Sequence, residues 1–165
     1  MALPHAPGIP SSNLQLFLAL DTSPVTYSAV ANVGDFGGPS MTRNVVDVSK
    51  HGDQWTRKVV TLKDGGTLPF PCWFDPTEKT LAGNSDGLEE LYVSGELRSW
   101  LLAFTDDAGI IEADGLLVSF NGYVSKFSFK GPVKGVLSAD AELLVDGEVT
   151  KHWADTTPPT GQPLP

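Results

Sequence analysis

The chain has 165 residues, 41% of them hydrophobic, and a formal net charge of −9. That suffices for one domain with a real core and loose ends, while the acidity argues against gripping nucleic acid through its phosphates, which takes clustered Lys and Arg. No run of ~18 apolar residues could span a membrane, segment 14–20 lacks the basic flank of a signal peptide, and a lone Cys72 excludes an internal disulfide and fits a reducing cytosol.

Residues 1–13 carry Pro4, Pro7, Gly8 and Pro10 without periodicity and read as a flexible arm ahead of a domain over 14–151. Leu14, Leu16, Leu18 and Leu20 alternate, as do Val25, Tyr27, Ala29, Ala31 and Val33, which predicts two strands. Between 34 and 63 the pattern weakens under glycines and mixed charges, and only 45–48 and 59–62 look strand-like. A long loop inside a small domain is either functional or disordered. Trp55, within it, suits an anchor for a partner as well as local packing.

The stretch LKDGGTLPFPCWFDP over 62–76 opens on a turn at Asp64-Gly65-Gly66 and continues as a strand with Leu68, Phe70, Cys72 and Phe74 on one side. Pro69 and Pro71 delete two amide donors from one edge only. The strand should therefore pair through the edge carrying Leu68, Phe70 and Cys72, the other being free or covered by irregular chain. Residues 86–95 predict the helix: Asp86 and Glu89 as a capping box, Leu88, Leu91 and Tyr92 as an apolar stripe, Gly95 as the stop. Segment 97–104 is apolar on both faces, and 106–109 (Asp106-Asp107-Ala108-Gly109) is a turn.

Strand 116–130 changes its apolar phase around Gly122, where a bulge or bend is expected. After Gly131-Pro132 comes the cleanest alternation, with Val133, Leu137, Ala139, Ala141, Leu143 and Val145 inward and Lys134, Ser138, Asp140, Glu142 and Asp146 outward. Val136 and Leu144 break that pattern, and 152–165 is a proline-rich flexible tail. The sum is a mainly β chain, a β-sandwich or barrel of about seven strands with one short flanking α-helix.

Chemistry is hard to find. His5, His51 and His152 sit in separate polar segments without metal-ligand spacing, and Cys72 is expected in the core. Glu89–Glu90 suit a helix first turn and Asp106–Asp107 a turn. No glycine-rich phosphate frame is present. These residues predict a non-enzyme with no cofactor and no metal.

Three stretches, in this order, resemble the tail tube proteins of long-tailed bacteriophages, especially the non-contractile, siphovirus type. They are LKDGGTLPFPCWFDP, the helix-into-strand LEELYVSGELRSWLLAF over 88–104, and the closing FSFKGPVKGVLSADAELLVDGE over 127–148. Pro69 and Pro71 depart from that pattern. The resemblance implies a tail-tube fold whose copies join sheets into hexameric rings, stacked into a tube around a tape measure protein, with tail tip and tail terminator proteins at its ends. DNA passes through the lumen without specific binding, in a virion tail assembled in the host bacterial cytoplasm.

Under that resemblance the 34–63 loop and both termini reach the next ring, with Trp55, Arg57, Lys58, Lys63 and Asp64 as stacking candidates. Asp140, Glu142 and Asp146 either line the bore, repelling phosphates within a Debye length of ~8 Å, or form a plain solvated face. Two alternatives are a tube protein of a contractile tail or secretion-type injection machine, and a carbohydrate-binding β-sandwich using Trp55, Trp73 and Trp153.

Overall fold

Alternating apolar side chains give each strand one face to bury, and the chain brings those faces together in one antiparallel sheet of six strands. The computed structural model describes residues 14–20, 24–75, 77–78, 80–81, 85–105 and 117–152. The arm, the turn at 106–109, Trp153 and the rest of the tail lie outside the described residues. The elements are β1 (Leu14–Ala19), β2 (Tyr27–Ala29), β3 (Thr42–Asp47), β4 (Lys58–Asp64), β5 (Thr67–Trp73), α1 (Leu88–Ser94), β6 (Arg98–Phe104), β7 (Leu117–Lys130) and β8 (Ser138–His152). The large sheet has the order β2-β1-β6-β7-β8-β5, and β3 and β4 form a separate two-stranded hairpin. A mainly β chain with one short helix is thus what the sequence predicts and what forms.

The core lies on one face of the sheet, where Leu16, Leu68, Phe70, Trp100, Phe120 and Leu143 meet Leu88 and Leu91 of α1. Trp100 is fully buried, and its indole N–H donates to the Gly122 carbonyl at 3.1 Å, so its one polar group is satisfied. A side chain at Gly122 would meet the Leu144 carbonyl at 2.8 Å, so the strands close up there only around glycine. The β7–β8 register slips between Ser119 and Asn121 and again between Val124 and Lys126, bracketing the glycine where the phase change predicts a bend. Phe17, Leu101, Ala103 and Leu117 form a smaller cluster on the opposite face, which explains why 97–104 is apolar on both sides.

β5 pairs with β8 through the edge that the prolines leave intact. Leu68, Phe70 and Cys72 face β8 in register with Leu143, Ala141 and Ala139. On the outer edge, irregular chain over 32–40 covers β5: Gly34 N–H donates to the Pro71 carbonyl at 2.8 Å, and Trp73 N–H to the Asn32 carbonyl at 3.0 Å. Pro69 has no donor to lose there.

Four local expectations change. The helix starts later, at Leu88, behind Gly87, with no side-chain cap. Asp86 turns instead toward the buried Arg98, 3.2 Å away, where a charge taken out of water needs it more. Gly95 does close the helix, at φ +65° with its amide on the Leu91 carbonyl. The strand expected over 25–33 shrinks to β2 plus a bridge from Val33 to Cys72. The last strand begins at Ser138, since Val133 stands free of any packing and Leu137 is exposed. The long loop over 34–63 contains a formed hairpin.

Candidate assembly surface

The β3–β4 hairpin is the surface that the chain's own packing leaves unexplained. Every residue of both strands is exposed, including Val45, Val46, Val59, Val60 and Leu62, the last 79% exposed. A two-stranded hairpin is marginal alone in water and needs a hydrophobic face covered to be stable. Here the apolar residues lie on both faces, and the described chain covers neither.

Local chemistry holds its two ends. At the base, Asp64 Oδ1 accepts the Gly66 amide at 2.8 Å, and the Gly66 carbonyl accepts the Val145 amide at 2.9 Å. Gly66 has φ +70°, and a Cβ on it would sit 2.1 Å from the Ser40 carbonyl oxygen; one on Gly65 would sit 2.3 Å from Val145 Cγ1. The D-G-G run is therefore the fitted joint between hairpin and sheet. At the far end, Asp47 accepts the Ser49 hydroxyl and amide, which hold its carboxyl below the ordinary range, and Asp53 lies 3.7 Å from Arg57.

All five stacking candidates fall on this one element. Trp55, in the turn, is 84% exposed. Arg57 immediately precedes β4, Lys58 opens it, and Lys63 and Asp64 close it. The register adds what the sequence did not single out: Arg43 stands directly opposite Lys63. Like charges facing each other across a ladder are destabilising, by a fraction of a kcal/mol. Among the described residues no carboxylate pairs with either. Between Arg43 and Val45 the ladder slips, β4 offering Thr61 and Leu62 against Asn44 alone. Arg43–Lys63, Val45–Val60 and Asp47–Lys58 consequently share one face. Recognising 42–47 and 58–64 as partners would have exposed this pairing.

An open groove of about 1140 Å³ separates the hairpin base from the end of β8, with Met41, Arg43, Leu62 and Lys63 on one wall and Asp146, Glu148 and Lys151 on the other. Asp140 and Glu142 lie elsewhere, on the sheet face away from α1. Asp140 pairs with Lys130, and Glu142 accepts the Ser125 hydroxyl at 3.3 Å. The three acids thus do not form one cluster. Burial raises the Cys72 thiol above its ordinary value, as suits a packing residue. Among the described residues no three metal-ligating side chains gather.

Comparison by sequence returns no matching family model and no matching curated protein. Comparison by shape is informative. The chain is similar to a protein of the tail of an empty gene transfer agent particle, refined with C6 symmetry, at TM-score 0.63 and 15% identity over 87% of this chain and 98% of that one. A protein in the anti-feeding prophage baseplate gives TM-score 0.67 at 9% identity, over 94% and 100%. The SPP1 tail tube gives 0.58 at 14%, over 88% and 80%. This is the tail-tube fold. The chain covers 80–100% of the length of each of these neighbours.

Proposed function

We propose that this protein is a tail tube subunit: copies close into hexameric rings, and rings stack into the tube that conducts a genome into a host. The observation that carries the reading is the β3–β4 hairpin, formed yet covered on neither face, in a chain whose fold is that of the tail and tube structures above. Surfaces that a lone molecule leaves wet are finished by identical copies, and a head-to-tail contact that does not close gives an open filament.

The finer reading is a non-contractile, siphovirus-type tail assembled in the bacterial cytoplasm around a tape measure protein, between tip and terminator proteins. Outward acids such as Asp140, Glu142 and Asp146 would keep DNA sliding rather than adhering. A contractile tail or injection machine is the second reading, favoured by the similarity to the anti-feeding prophage structure. The glycan-binding alternative gains no support, because Trp55 and Trp73 stand on different elements, in the hairpin turn and at the end of β5.

Negative-stain images of the purified protein at rising concentration test the proposal. Rings and smooth tubes are expected, and compact monomers at every concentration would overturn it. Copurification of a sheath protein with tubes from particles would decide for the contractile reading.

A further inference from the structure

Two surfaces of this chain are incomplete in complementary ways. On the hairpin, Arg43 and Lys63 face each other with no acid between them, and the next pair on that face is Val45–Val60, about 7 Å along the strand. On α1, Glu89 and Glu90 have no cation partner among the described residues, whereas Glu96 and Asp86 are both taken by Arg98. Val93, 73% exposed, follows one turn after the two glutamates, where helix geometry places side chains about 5–6 Å apart. Each surface therefore offers two like charges beside an apolar step of similar length, and the signs are opposite. Within one copy the hairpin residues, Glu90 and Val93 are exposed and Glu89 is half-buried, and no contact joins the two surfaces among the described residues.

We infer that the cation-bearing face of the β3–β4 hairpin docks on helix α1 of a second copy, Arg43 and Lys63 meeting Glu89 and Glu90 while Val45 and Val60 cover Val93. This deepens the assembly reading and rests on it. Charge complementarity selects the partner: the hairpin is the cationic projection of a chain whose net charge is −9. On its own face Asp47 already accepts from Ser49, and Asp146 and Glu148 across the groove form no ion pair with Arg43 or Lys63 among the described residues, so a second copy supplies the acids. The contact joins different patches on the two copies, so it can propagate from copy to copy.

Charge exchange tests it. R43E/K63E keeps a like-charged pair across the hairpin but reverses its sign, and E89K/E90K reverses the helix. Each double variant should lose tubes, with its circular dichroism unchanged, and the quadruple variant should recover wild-type tube length. In a second measurement, V60C protein is mixed with V93C protein under mild oxidation. A disulfide-linked dimer should form in the mixture and in neither sample alone, with Cys72 buried and silent. Tubes from both double variants, or no rescue together with no mixed disulfide, would overturn the inference while leaving the tube reading intact. If the wild-type protein never forms tubes, the assembly reading falls, and the mixed disulfide alone then decides this contact.

Discussion

The β3–β4 hairpin and the β7–β8 ribbon are both antiparallel pairs, yet they stand at opposite extremes of the molecule. Along β8, Ala139, Ala141, Leu143 and Val145 are buried and their neighbours are not, and α1 and β5 complete the packing. The hairpin has valines of the same kind, and none of the described residues buries them. The difference teaches that apolar content does not fix burial: a strand pair is stable where a second layer covers it, and where its own chain brings none, the layer must come from another molecule.

Hydrogen exchange should break or uphold this contrast most sharply. In the unassembled protein the hairpin amides are expected to exchange faster than those of β7 and β8 by roughly a thousandfold or more, given a global stability of at least ~5 kcal/mol. In assembled material the hairpin should become protected, and equal protection of both pairs in the monomer would refute the comparison. Tryptophan substitutions come next. Trp100→Ala removes a fully buried ring and its hydrogen bond and should cost about 3–5 kcal/mol in chemical denaturation. Trp55→Ala should change monomer stability by less than about 0.5 kcal/mol while weakening assembly in sedimentation.

At the joint between the two regions, Gly66→Ala adds a methyl into the Ser40 carbonyl at positive φ. An expected loss of about 1–3 kcal/mol, together with displacement of the hairpin, is readable by denaturation and by exchange at Ser40 and Val145. The smallest effect concerns Cys72. Burial raises its thiol above 9.0, so the folded chain holds that proton more tightly than the unfolded one. Stability is whole below about pH 9 and declines as pH rises past it; Cys72→Ala should flatten that decline in a pH series of urea melts.

What was legible in the sequence is what the large sheet buries. β1 and the inner half of β8 announce themselves by alternation, because one side of each meets the core, and β6 by a run apolar on both faces. The proline pair told which edge of β5 is bonded, and Gly122 marked the bend, since both act through backbone chemistry that needs no knowledge of neighbours. The hairpin was illegible for the complementary reason. Val45, Val46, Val59 and Val60 place apolar groups on both faces, and alternation records only a chain's burial against itself. Likewise Asp86 and Glu89 spelled a capping box, but Arg98, on the strand after the helix and 3.2 Å from Asp86 in space, claimed that carboxylate first. Of the candidate site, the residues over 55–64 could be named, while the facing of Arg43 and Lys63 required the register.

The Gly65-Gly66 joint carries a mechanical consequence. The hairpin meets the sheet through a few hydrogen bonds gathered at one spot, Gly66 to Asp64, Val145 to Gly66 and Ser40 to Thr67, beside an open groove. An arm hinged at a single knuckle can stay seated while the body behind it tilts. A filament strung from such arms would bend under load by small rotations shared among many knuckles, and its bore would stay continuous through the curve.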